Sequence, residues 1–146
     1  MNVNKILKFR NKNIIMDKII ENKLLNQGLC IPSQVKLGKN ISLPHNSVGT
    51  VIHPDCKIDD NVKIYQNVTI GRADIYAPIE KSKMKEIHIK KGAILCAGAK
   101  ILSKEETLTV GENTIVGANA VLLNSTGDNE IWGGIPARKI GIRKKI

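Results

Sequence analysis

The sequence predicts an all-β fold, a three-sided coil of short strands preceded by a short helical segment. Three observations lead to it. Aliphatic residues recur every six positions, at Ile31, Leu37 and Leu43, at Ile52, Ile58, Ile64 and Ile70, at Ile89, Leu95 and Ile101, and at Val110, Val116 and Leu122. Three places beyond nine of these thirteen stand Asn40, Asn46, Asp55, Asn61, Asn67, Gly92, Gly98, Asn113 and Asn119, residue types that tolerate positive φ where a chain turns. Aromatic residues make up only 3% of the chain, so branched aliphatics must fill the core, and these favour strands. A helix cannot use this spacing, because six residues advance it by about one and two-thirds turns and scatter the aliphatics around its axis.

The first element is residues 5–25. Ile6, Leu7, Phe9, Ile14, Ile15, Ile19, Ile20, Leu24 and Leu25 stand there among Lys, Arg, Asn and Glu, which is compatible with an amphipathic helix in one or two pieces. Residues 1–28 are therefore assigned as a helical cap over the open end of the coil, with membrane contact at most peripheral.

Residues 29–146 form the coil. Four places beyond its aliphatics, Val35, Ile41, Cys56, Val62, Val68, Ala93, Ala99 and Ala120 are small or apolar enough to close a corner. That position fails at Ser47, Asp74 and Glu105, where the beat is lengthened. Insertions at corners leave a stack intact, and long loops in compact domains are commonly functional, so residues 72–88 are a candidate wall or lid.

Counting segments in threes places Leu43, Ile64, Leu95 and Val116 in one column. Two places later, His45, Gln66, Ala97 and Ala118 form an outward row. The row shrinks from imidazole to methyl, leaving a groove beside CAGAK (96–100) and VGANA (116–120). A thin, flexible ligand fits there with its reactive end at His45.

The formal charge of +10 points to an anionic partner or serves solubility. Phe9, Tyr65, Tyr76 and Trp132 are too few and too scattered for a nucleic-acid stacking platform, so no nucleic-acid partner is expected. Cys30, Cys56 and Cys96 have no metal-ligand spacing and leave one thiol unpaired, which fits a reducing compartment. With no apolar run near the ~18 residues of a membrane span and no secretory signal pattern, the expected location is cytoplasmic.

The repeat resembles that of the left-handed parallel β-helix acyltransferases built of hexapeptide repeats. LPHNSVGTVIHPDCKIDDNVKIYQNVTIG (43–71), GAILCAGAKIL (92–102) and GGIPARKIG (133–141) resemble the serine acetyltransferase branch. The resemblance implies a homotrimer with active sites at subunit boundaries, acetyl-CoA as donor, and the histidine of the LxH pattern, His45, as general base. It further implies donor contacts at Gly71, Ala97, Gly98, Lys100, Gly117 and Ala118, with Arg138 and Lys139 at the CoA phosphates. Arg143, Lys144 and Lys145 either join them at the phosphates or continue as a solvated basic tail. Acceptor contacts are assigned to His53, Gln66, Glu86 and His88.

The sequence departs from the serine enzymes at informative places. Their acids immediately before the base and fifteen residues before it are replaced by Pro44 and Cys30, and Glu86 stands in the ungapped place of their second histidine, two residues from His88. There is one residue more between His45 and Gly71. These departures point to the short sugar O-acetyltransferases of bacterial surface-polysaccharide pathways, so the expected acceptor is a sugar or polysaccharide hydroxyl, with serine as the alternative. An imidazole can take the hydroxyl proton as the oxygen attacks a thioester. The group orienting His45 stays open among a backbone carbonyl, Asp55, Glu86 and Glu130 of either subunit. Zinc β-helices resembling the γ-type carbonic anhydrases use three histidines between subunits, but His45, His53 and His88 contain no close pair on one strand, so no metal is expected.

Overall fold

A computed structural model of the chain describes residues 3–10 and 13–144. Lys145 lies outside the described residues. Among the described residues two α-helices, α1 (Val3–Leu7) and α2 (Ile14–Leu25), precede thirteen strands. The first five are β1 (Lys36–Leu37), β2 (Val51–Ile52), β3 (Cys56–Ile58), β4 (Lys63–Ile64) and β5 (Thr69–Arg72). Next come β6 (Glu86–Ile89), β7 (Ile94–Leu95), β8 (Lys100–Ser103) and β9 (Thr107–Val110). The last are β10 (Ile115–Val116), β11 (Val121–Leu122), β12 (Glu130–Gly133) and β13 (Arg138–Ile142).

The strands form three sheets, the faces of one prism. Sheet I has the order β1-β3-β6-β9, sheet II β4-β7-β10-β12-β13, and sheet III β2-β5-β8-β11. All pairs but β12–β13 are parallel. The fold is thus the expected left-handed parallel β-helix. Its register stacks Ile64 on Leu95 on Val116 in sheet II. Ile52, Ile70, Ile101 and Leu122 stack in sheet III, and Leu37, Ile58, Ile89 and Val110 in sheet I. None of the thirteen aliphatics is more than 9% exposed. Parallel pairing demands this register, because a slip by one residue would turn each of them outward.

Eight of the nine corner residues have φ between 54° and 73°. Asp55 does not: Pro54 turns that corner with negative φ, and the Asp55 N–H donates to His53 Nδ1 at 3.2 Å. Between sheets II and III the asparagine amides lie against glycine backbones, Asn67 on Gly49 and Asn119 on Gly98, and a Cβ on either glycine would collide with the amide oxygen. Ser47, where an apolar corner residue is missing, is nevertheless fully buried, its hydroxyl donating to the Ile64 carbonyl. A hydrogen bond closes that corner instead of a methyl group.

Four features differ from the sequence expectation. Residues 72–88 are not all loop, since β5 runs through Arg72 and β6 starts at Glu86; the excursion is 73–85. It is held in one shape by Arg72, whose guanidinium donates to Asp74 Oδ1 at 2.8 Å and to the carbonyls of Asp74 and Ala77 at 2.9 Å. The Arg72 bonds, with one from Ser82 Oγ, hold the Asp74 carboxyl below the usual carboxylate range. The repeat resembles an all-parallel coil, whereas β13 turns back antiparallel to β12. Arg143 is not a solvated side chain, because its guanidinium donates to the carbonyls of Gly92 and Asn113, each at 3.1 Å, on the edge between sheets I and II. Lastly, the apolar set of residues 5–25 divides. Ile6, Ile20 and Leu24 join the core, while Phe9, Ile14, Ile15, Ile19 and Leu25 are exposed. Among the described residues no helix is long and apolar enough to cross a membrane.

Candidate active site

His45 sits where the chain is most strained. Pro44 opens a one-turn excursion in which His45, Asn46 and Ser47 all have positive φ, at 52°, 57° and 46°. Left-handed backbone costs a non-glycine residue about 1–2 kcal/mol, so three in succession persist only where the surroundings dictate them. The surroundings here can be named. Downstream, Ser47 is locked into the core and Thr50 N–H donates to its carbonyl at 3.1 Å. Upstream, Leu43 lies on the first rung, with no earlier strand beneath it among the described residues. The Asn4 side chain of α1 replaces that strand, its Oδ1 accepting from Leu43 N–H at 2.7 Å and its Nδ2 donating to the Leu43 carbonyl at 3.4 Å. Inserting these constraints on both sides of a four-residue turn aims the His45 ring outward, where it is exposed.

Asn4→Ala is expected to lower turnover about 10-fold, at a stability loss of about 1–2 kcal/mol for the orphaned Leu43 N–H. Initial rates and a denaturant melt check it. The KM for the donor should not change.

The predicted row is present on the edge between sheets II and III. The ring centroids of His45 and Tyr65 are 6.3 Å apart and tilted by 44°. Above them come Gln66, half-buried Ala97 and exposed Ala118. Ladder bonds from Gly98 N–H to the Gln66 carbonyl and from Asn119 N–H to the Ala97 carbonyl, both 2.9 Å, set their spacing. Gly134 continues the edge, its carbonyl accepting from Val121 N–H at 3.1 Å. Side-chain size therefore falls along the edge to nothing. Gln66 Oε1 is buried with no hydrogen-bond partner among the described residues, a polar atom without a mate at the head of the groove. Cys96 lies beside Ala97, and burial raises its thiol pKa.

Of the other donor-side residues, Gly98 and Gly117 belong to this edge, with Gly117 N–H donating to the Trp132 carbonyl at 2.8 Å. Lys100 is next to it and places its ammonium 2.7 Å from the Asn67 carbonyl. Gly71 lies apart, on sheet III opposite Leu102, with open space where a Cβ would be. Arg138 is exposed, while Lys139 Nζ is 2.8 Å from Glu130 Oε1. Glu130, a candidate to orient His45, is thereby engaged: bonds from Lys139 and Trp132 hold its carboxyl below the usual range.

The acceptor-side residues are not gathered around His45 within one chain. His53 and Asp55 occupy the edge between sheets III and I, lining a cavity of about 280 Å³ with Arg72, Glu80, Ser82 and Lys85. Glu86 and His88 are on sheet I, opposite Thr107 and Thr109, and His88 Nε2 is 2.8 Å from Asp59 Oδ2. Gln66 alone of the four shares the edge of His45. Among the described residues no group of three or more His, Cys, Asp or Glu side chains is placed to hold a metal. A larger cavity, about 820 Å³, opens between α1 and the first rung, where Asn4, Lys8 and Arg10 face Asn40 and Ser42. His45 is not among the residues that line it.

Asn4, Tyr65 and Ser47 are the contributors that sequence reasoning did not assign. Tyr65 could have been found, since it follows Ile64 in the column that leads to His45. Asn4 carries no signal, because a five-residue helix is too short for a periodicity that a single asparagine could break.

No protein-family model matches the chain. A serine acetyltransferase of Staphylococcus xylosus is 35% identical over 109 residues, 75% of this chain and 46% of that protein. The serine acetyltransferase of Bacillus subtilis (strain 168) is 34% identical over 113 residues, 77% of this chain and 48% of that protein. The crystal structure of serine acetyltransferase in complex with coenzyme A from Brucella abortus strain S19 superposes with a TM-score of 0.69 at 25% identity, covering 90% of this chain and 48% of that one. The chain spans less than half the length of these relatives. In sequence and in backbone, then, it is a left-handed hexapeptide-repeat β-helix similar to the serine acetyltransferases.

Proposed function

We propose that the chain transfers an acetyl group from acetyl-CoA to a hydroxyl, with His45 as general base. The strained turn that exposes His45 at the head of a tapering groove carries this reading, because strain that the fold must maintain gathers at functional sites. His45 takes the proton of the acceptor O–H as that oxygen attacks the thioester carbonyl. The tetrahedral adduct then collapses, the C–S bond breaks, and the proton passes from the imidazolium to the departing thiolate. The pantetheine arm follows Ala97 and Ala118, and Arg138 meets a phosphate, since a guanidinium is suited to bidentate phosphate contact. The relative solved with coenzyme A supports the choice of donor.

L-serine is the acceptor that the similar proteins favour by name. A sugar hydroxyl is a second reading, favoured by Pro44 and Cys30 where the serine enzymes carry acids. Without those carboxylates, an amino acid's ammonium group loses its evident counter-charges. In either case a homotrimer is proposed, bringing His53, Glu86 or His88 of a neighbouring subunit toward His45. Thioester cleavage by the purified chain, measured against L-serine, nucleotide sugars and oligosaccharides, decides the acceptor. Cleavage stimulated by L-serine alone selects the first reading, stimulation by a sugar selects the second, and no thioester cleavage with any acceptor rejects the transferase.

A further inference from the structure

Helix α2 is apolar on two sides. At 3.6 residues per turn, Ile20 and Leu24 fall on the side that packs on the coil, and both are buried. Ile14, Ile15, Ile19 and Leu25 fall on the opposite arc and are 82%, 72%, 45% and 47% exposed. Lys18 and Lys23 share that arc and are exposed as well.

The acids of the same helix are turned away. Asp17 is directed at Arg10, 3.8 Å distant, and Glu21 accepts from Ser33 N–H at 3.0 Å and from the Lys18 ammonium at 3.2 Å, each acid less than one-fifth exposed while Lys18 stays mostly in solvent. From residue 3 to residue 28, the exposed charged side chains among the described residues are Lys5, Lys8, Lys18 and Lys23, all cationic. The outward face is therefore mostly aliphatic, with exposed Lys18 and Asn22 between the aliphatics and Lys23 at the margin, and it carries no exposed negative charge.

We propose that this face of α2 lies on an anionic lipid bilayer. Such a face matches what an interfacial helix requires, aliphatics for the acyl boundary and lysines for the headgroup phosphates. A second copy of this chain docked through the same face is a poor occupant, because it would oppose Lys18 and Lys23 to their own counterparts. The surface is also convex, four aliphatics around half a helix, which suits a deformable lipid surface better than a shape-matched protein groove. Asn4 ties α1 to Leu43, so the docked end of the prism is the end that carries His45. The docking does not depend on the acetyl-transfer proposal.

The test is co-sedimentation of the full chain with vesicles of phosphatidylcholine alone and of phosphatidylcholine mixed equally with phosphatidylglycerol, at low and high salt. The protein is expected to bind the anionic vesicles, to release at high salt, and to bind the neutral ones far less. Lys18→Glu and Lys23→Glu should each lower the partition coefficient about 5-fold or more. Ile15→Asn should lower it about 10-fold, with no change in melting temperature, since the side chain is mostly in solvent.

Absence of binding to anionic vesicles at low salt overturns the proposal. So does binding that Ile15→Asn leaves intact, which would mean a diffuse charge effect. A multimer that Ile15→Asn breaks apart, seen by light scattering, would assign the face to another copy and also overturn it. Capture by a defined acidic protein without binding to lipid would do the same.

Discussion

His45→Ala is expected to reduce turnover with acetyl-CoA by about 10² to 10⁴-fold, the usual contribution of a general base. The substitution isolates chemistry from folding unusually well. The ring is exposed, and alanine meets the same left-handed backbone at φ 52° that histidine already accepts, so the strain is not increased. The melting temperature should accordingly stay within a few degrees while the rate collapses. Donor binding should be retained, because the groove along Ala97 and Ala118 is untouched. Near-normal turnover in His45→Ala would reject the assignment outright.

The largest effect on stability is expected for Leu95→Ala, a loss of about 2–5 kcal/mol. Leu95 is fully buried at the middle of its column, with Ile64 on the rung before it and Val116 on the rung after. A core often softens such a deletion by collapsing onto the void, but here the neighbouring rungs are held apart by backbone hydrogen bonds on both sides. Tyr65 N–H donates to the Leu95 carbonyl at 3.0 Å, and Cys96 N–H to the Val116 carbonyl at 2.9 Å. Strand spacing thus keeps the cavity open, which puts the cost toward the upper part of the range. Urea unfolding should show a lower midpoint with little change in slope. The loss should also reach the groove, since Ala97 is two residues from the cavity. A loss below 1 kcal/mol would mean that the rungs slide, against the register described above.

Most of the coil was legible because its period is set by geometry that side chains must obey. Each inward position admits only an aliphatic, and each corner between sheets I and II or II and III needs a residue at ease with positive φ. The corner at Asp55 was misjudged because proline can turn a chain by a different route, and the sequence pattern registers only that a turn occurs. Row membership of His45, Gln66, Ala97 and Ala118 followed from the same counting. Counting located the insertion after Leu43 but not its left-handed backbone, nor that Ser47 satisfies its corner through a hydroxyl, which resembles a failed apolar position. Arg143 was hidden for a related reason: its partners are carbonyls 30 and 51 residues earlier, and a backbone carbonyl has no sequence identity. In α2 the aliphatics were visible, but periodicity does not distinguish the side that meets the coil from the side that meets its surroundings.

The reversal of β13 has a meaning beyond its contacts. A column of parallel rungs is a template that any similar strand could extend, and nothing in its repeat specifies a last copy. Running the final strand backwards ends the series with the wrong polarity for another coil, and it brings exposed Arg138 and Lys139 to the terminus. Stacking of a further parallel rung on this edge is thereby opposed by strand direction.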